Sequence, residues 1–374
     1  MFIYIITFLL GILLDSFRVN KNVKIVFIIW LYIFLCFGYM TGSDWRAYEL
    51  QYQSADYYYY NATYEKGFYT LFYFLKLFIS DFFITLAFLK CIYLYTLIRL
   101  FRQITPLWIS SISILLPISL LFMLVDNPLR FMTSIIFLNI GLGYLLNGHT
   151  KKFLMIAVLA PFFHITTIFI VFILLLIKFD NIIFRSKRLI LIVLFFIVSF
   201  AFSSTGPVSN LISQLIPQLE LLGTKNFGSY SVEDNDAFFT IGSMINAFLF
   251  IIIVSFRNYI VEHNQQYGKK IYSYIIIYFF LFRILLIVPS GFRLVIPMGY
   301  FLSIAVAMLL KKGNLLKLLF VSYFMLLMSK SLWQGYVYLP YSNSIWYILT
   351  EHKQYSERDN NNINFYRQRT GNSL

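Results

Sequence analysis

Long apolar runs alternate with short polar breaks along nearly the whole chain. A membrane-crossing helix needs about 20 apolar residues, with a range of about 17–25. On that measure the pattern predicts spans near residues 1–17, 24–41, 81–100, 107–125, 131–147, 189–204, 238–256, 271–288, 294–310 and 315–333. Two stretches fit less simply. Residues 68–79 are apolar but short, as an interfacial or re-entrant segment is. Residues 152–179 are apolar but interrupted by Pro161, close to Phe163 and His164. The predicted architecture is an all-α polytopic membrane protein of about 10–12 transmembrane helices. It has a re-entrant or broken helix near 153–178 and outer loops at 41–67 and 204–237. Residues 1–333 read as a single integral membrane domain, and 334–374 as a polar, partly disordered tail.

Composition makes the membrane assignment firm. The 374 residues are 60% hydrophobic and 12% charged, where a soluble domain carries about 25% charged residues. Cys36 and Cys91 both fall inside apolar runs and read as small core residues, not as a disulfide or metal site. No CxxC or HExxH spacing occurs, so no metal and no cofactor is expected. The net charge of +14 lies in short breaks between spans, where it orients the chain and implies no nucleic acid. The first segment, Phe2 to Leu14, lacks a basic leader and a small-residue cleavage site, and reads as a retained span.

Charge placement then predicts the orientation. One set of breaks holds Arg18, Lys21 and Lys24, then Arg99 and Arg102, Lys151 and Lys152, Arg257, Lys269 and Lys270, and Lys311, Lys312 and Lys317. The alternate set holds the acidic residues Asp44 to Glu65, Asp126, Glu220, Glu233, Asp234 and Asp236. The first set is expected to face the cytoplasm and the second the outside. Lys178, Arg185, Lys187 and Arg188 also look cytoplasmic, so the segment after Lys152 is expected to enter and return, bending near Pro161 and His164. The alternative is a plain span at 153–177.

The outer breaks contain the candidate chemistry. Arg46 follows Gly42-Ser43-Asp44-Trp45, Arg130 follows Asp126-Asn127-Pro128, and Arg293 follows Pro289-Ser290-Gly291-Phe292. Arg130 and Arg293 stand where a turn meets a helix N-terminus, a place that attracts anions. Arg283 lies about 10 Å below the outer surface of its span, where a charge is costly and marks a site or a packing pair. Together Arg130, Arg283 and Arg293 are candidates for a diphosphate. Asp44 and Glu65, near the two ends of the first outer loop, are candidates to accept a proton from a sugar hydroxyl, and His164 is the runner-up. Arg46, Tyr48, Tyr52 and Tyr64 offer charge, ring faces and hydroxyls suited to sugars.

Taken in order, Gly42-x-Asp44-x-x-x-Tyr48, Glu65-Lys66-Gly67-Phe68, Asn127-Pro128-x-Arg130, Phe163-His164-x-Thr166 and Gly291-x-Arg293 resemble the EpsG/Wzy group of bacterial polysaccharide polymerases across roughly residues 40–300. The resemblance implies a metal-independent glycosyltransferase of GT-C-like architecture in the inner membrane. Such a protein joins undecaprenyl-diphosphate-linked oligosaccharides at the periplasmic face, with inversion expected for direct attack. O-antigen polymerase is the first expectation; an exopolysaccharide or capsule polymerase and an O-antigen ligase are the sister readings. The resemblance also implies membrane lipid, a chain-length regulator and a flippase as partners. A lipid-linked oligosaccharide flippase is a rival from another class, but it calls for an internal repeat of spans that the sequence does not show. An acyltransferase calls for a histidine–carboxylate pair, and His164 has no acidic neighbour in sequence.

Overall fold

A computed structural model describes residues 2–17, 20–203, 206–208, 241–285, 291–334 and 341–345, with isolated tail positions beyond. The outer loop expected at 204–237 and the disorder expected for the end of the tail fall almost wholly outside these residues. In chain order the helices are α1 (Phe2–Ser16), α2 (Lys21–Cys36), α3 (Trp45–Gln53), α4 (Ala55–Asn61), α5 (Lys66–Phe78), α6 (Phe82–Ile104) and α7 (Trp108–Leu115). They continue as α8 (Leu129–Leu146), α9 (Thr150–Ala157), α10 (Ala160–Phe163), α11 (Thr167–Leu175), α12 (Asp180–Arg185) and α13 (Arg188–Ala201). The last are α14 (Ile241–Ser255), α15 (Arg257–His263), α16 (Gly268–Leu285), α17 (Ile296–Leu309) and α18 (Asn314–Gln334).

The protein is an all-α polytopic membrane protein. Among the described residues no strand forms, only an isolated bridge between Gly38 and Asn343. Five helical stretches there are long and apolar enough to cross a membrane, and six if the pair Gly242–Ser255 and Arg257–His263, bent by 61°, is one span. Many large apolar side chains face outward, Phe169, Phe172, Leu189 and Leu326 among them, as suits a surface solvated by acyl chains.

The helices gather into two compact units, Met1–Val171 with Val306–Leu374, and Phe172–Ala305. In the first, α1 lies against α7. Gly11 makes this approach close, since a Cβ there would collide with the Ser113 hydroxyl. Small residues play this part in membrane helices, where packing replaces the hydrophobic effect. Asp15 caps the start of α7 by accepting from Ser110 N (2.9 Å), and its other oxygen pairs with Lys24 (3.1 Å). The break 41–67, expected as a loop, is largely helical. Trp45, Tyr48 and Tyr52 are all buried on α3; spaced three and four apart, they form one helix face.

Pro117 interrupts the hydrogen-bond ladder beyond α7, and the chain widens into π-helical turns at Leu116–Leu120 and Phe122–Asp126. Asn127 then adopts a left-handed conformation (φ 65°) and turns the chain into α8. The expected break near 153–178 is present. Phe153 packs at Gly141, Phe163 stacks on Phe137 at 4.9 Å, and His164 meets Phe131 at 5.5 Å. So α9 and α10 climb antiparallel to α8, from its Leu146 end to its Arg130 end, and stop at His164, whose backbone is extended.

In the second unit Phe195, Phe250 and Phe279 form the aromatic centre, with Phe195 and Phe250 stacked at 4.2 Å. Arg257 donates to the carbonyls of Phe184 (2.8 Å) and Ser186 (2.9 Å), and the Lys269 ammonium approaches the Phe184 ring. These contacts put the basic residues around 185–188 at the same end as Arg257 and Lys269, as charge placement predicts.

The α1–α7 contact has a direct test. Gly11→Ala is expected to cost about 1–3 kcal/mol through overpacking, despite alanine's better helix propensity. Adding Ser113→Gly should recover most of it, read as Tm in detergent; an unchanged Tm for Gly11→Ala would refute the close approach.

Candidate active site

Three elements far apart in sequence meet at the upper end of α8. The residue Glu65 precedes α5 in a left-handed conformation (φ 55°), which is uncommon for a residue with a side chain. Its carboxylate is only 5% exposed and both oxygens are engaged. Oε2 accepts from the Arg130 guanidinium at 2.8 Å. Oε1 lies 2.7 Å from His164 Nδ1 and 3.3 Å from the Ile165 backbone N, which donates to it. A buried carboxylate needs such compensation, because removing its cation costs about 3–5 kcal/mol. Burial alone would raise the Glu65 carboxyl; the His164 bond and charge, the Arg130 charge and the Ile165 N–H outweigh it and hold it below its ordinary value.

Around this centre the contacts are aromatic. Arg130 lies over the Tyr48 ring at 5.9 Å, and Tyr48 meets Phe68 edge-on at 5.7 Å. Burial raises the Tyr48 hydroxyl, and the neighbouring Arg130 charge offsets that only in part. Gly67 lets the Phe162 carbonyl come close; a Cβ there would meet it at 2.9 Å.

A second set of bonds ties the 41–44 turn to the 125–127 turn. Asp126 Oδ1 accepts from Ser43 N (2.9 Å) and Ser43 Oγ (2.8 Å), and Asn127 Nδ2 donates to the Thr41 carbonyl (2.5 Å). Gly42 takes φ 87°, and a Cβ on it would strike the carbonyls of Val125 and Asp126. Ser43, Asp126 and Asn127 hold these two turns together, although none of the three stood among the candidate site residues of the sequence. Their signal was the glycine beside one turn and the Asp-Asn-Pro triplet at the other.

The structure thus gathers Glu65, Arg130 and His164 and places Tyr48 beside Arg130. Asp44 begins α3 without a side-chain cap, 3.3 Å from the Ser43 hydroxyl. Arg46 lies over the Trp45 ring. The tyrosines expected to touch sugar divide. Tyr64 is 70% exposed, whereas Tyr48 is buried under Arg130 and Tyr52 is buried with its hydroxyl engaged by the Ile79 carbonyl and Thr85. Tyr52 is therefore a packing residue. Arg283 and Arg293 belong to the second unit. Arg283 is buried and donates to Ser243 Oγ (3.0 Å) and O (3.1 Å), so it ties α16 to α14; Arg293 lies in the short helix Gly291–Val295. His164 does have a carboxylate neighbour, supplied from 99 positions away, so its isolation in sequence is no ground for excluding histidine–carboxylate chemistry. Among the described residues no group of three or more His, Cys, Asp or Glu side chains is placed to hold a metal ion.

The fold is thus a bundle of membrane helices with an ionic centre buried at one helix end. The EpsG family profile matches residues 2–343, and the chain belongs to the EpsG family. That family places it with proteins of polysaccharide-polymerase type. No curated protein and no solved structure matches the chain.

The lowered Glu65 value gives a pH prediction. A carboxyl held below its ordinary value stabilises the fold above that value, and the contribution disappears as pH falls through the folded-state one. Detergent-solubilised protein should therefore lose Tm below about pH 4.5, and Glu65→Gln should flatten that acid limb. Equal acid limbs in both proteins would contradict the pairing. Separately, Gly42→Ala is expected to lower Tm by several degrees, for a cost of about 1–3 kcal/mol at a strained position.

Proposed function

We propose that the protein is an O-antigen polymerase, an integral-membrane glycosyltransferase. It joins undecaprenyl-diphosphate-linked oligosaccharide units at the periplasmic face of the bacterial inner membrane. The observation that carries this reading is the Glu65 carboxylate held between Arg130 and His164, in a member of a polysaccharide-polymerase family. Exopolysaccharide and capsule polymerases share this chemistry and differ in product.

The geometry supports a different division of roles from the one expected from sequence. With both oxygens engaged and its carboxyl held low, Glu65 is a weak proton acceptor. It acts instead as a positioning residue: by accepting from Nδ1–H, it leaves His164 Nε2 as the basic nitrogen. Nε2 has no partner among the described residues, and the side chain is 17% exposed. In the proposed step the acceptor sugar hydroxyl gives its proton to Nε2 while its oxygen attacks the anomeric carbon of the donor. The bond from that carbon to the diphosphate oxygen breaks, and the lipid diphosphate leaves with the electron pair. Arg130, with 31% of its side chain exposed, is aimed to stabilise the departing negative charge. Tyr64 and Arg46 are assigned to sugar contacts and Asp44 to orienting the acceptor.

The test uses a deletion strain complemented by expression-matched variants, with surface polysaccharide resolved on a gel. Deletion should leave core carrying a single repeat unit, and wild type should restore the ladder. His164→Ala should abolish the ladder, Glu65→Gln and Arg130→Ala should reduce it at least about tenfold, and Tyr52→Phe should keep it. Bare core after deletion would point to a flippase or ligase, and an unchanged ladder would overturn the glycan reading.

A further inference from the structure

A cavity lies at the other end of α8, far from Glu65. It measures about 450 Å³ and is formed by α6, α8 and the start of α9, all in the first unit. The volume corresponds to on the order of fifteen waters, enough for a phosphate with attached atoms. Arg99, His149 and Lys152 line its rim, and no carboxylate lines it. Thr96 and Asn139 form its floor; both are buried, and Asn139 Nδ2 donates to Thr96 Oγ1 at 3.4 Å. Asn139 Oδ1, equally buried, has no hydrogen-bond partner among the described residues, which in a native protein calls for a missing one. The space exists because Gly143, one turn above Asn139, has no side chain; a Cβ there would meet only the end of the Gln103 side chain, at 2.8 Å.

We propose that this cavity binds a phosphate-bearing anion. Arg99 and Lys152 would supply charge to the phosphate oxygens, while Asn139 Oδ1 accepts from a hydroxyl or water attached to the bound group. Ile140 and Tyr144 line the cavity and are 38% and 37% exposed. They give an apolar flank beside the cationic rim, as a phospholipid headgroup with its acyl chains requires. A free phosphate compound satisfies the rim and floor equally, so the two sources need separating.

The experiment uses the full chain purified in maltoside, with Tm followed against short-chain phosphatidylglycerol, short-chain phosphatidylcholine and inorganic pyrophosphate. Saturable stabilisation by phosphatidylglycerol alone identifies a lipid headgroup, and saturable stabilisation by pyrophosphate identifies a free anion. In either case Arg99→Gln with Lys152→Gln should raise the half-saturating concentration at least about tenfold. Gly143→Leu, which fills the cavity and leaves every charge in place, should do the same, and Lys151→Gln, an exposed neighbour outside the cavity, should not. Wild type unmoved by both anions, or equal shifts in every variant, would overturn the proposal.

Discussion

One buried carboxylate holds the first unit's site together. Glu65 reaches Arg130 at the head of α8 and His164 at the end of α10, and it accepts the Ile165 N–H besides. Each partner alone is an awkward group at the end of a membrane helix: a cation, a carboxylate and an imidazole. Together they neutralise one another's desolvation cost, which is the condition for keeping charge in a dry place. The same three contacts fix the break in the 150–185 segment, because the chain must stop being helical for His164 and Ile165 to meet one oxygen.

The backbone around the site is shaped to allow this. Four positive-φ positions, Met40, Gly42, Glu65 and Asn127, fall in or next to the turns that frame it. At Glu65 and Asn127 this conformation costs on the order of 1–3 kcal/mol each. Ser43, Asp126, Asn127 and Thr41 lock the 41–44 turn to the 125–127 turn, and Gly42 and Gly67 clear the space. These strained positions persist because the buried ion pairs and turn-to-turn hydrogen bonds around them over-determine the backbone.

The helical membrane architecture was legible because apolar run length reports spans directly. Pro161 with His164 announced the broken segment. Glu65, Arg130 and His164 stood out as costly groups beside apolar runs, and the short motifs around them carried the family. Their mutual pairing was not legible: they are separated by 65 and 34 positions, and nothing local encodes which carboxylate meets which histidine. For the same reason Tyr52 looked like a sugar contact, although its spacing from Trp45 and Tyr48 already marked a buried face. Nor was it legible that Arg283 donates to Ser243, 40 positions away on a neighbouring helix.

If Glu65 works by holding His164 and Arg130, its effect should vanish once they are gone. The most direct measurement is a double-mutant cycle on purified protein: the rate of joining lipid-linked repeat units by wild type, Glu65→Gln, His164→Ala and the pair. The account predicts strong non-additivity, with the double variant losing much less than the product of the two single losses. Losses that simply multiply would show that Glu65 and His164 act independently, and would contradict it.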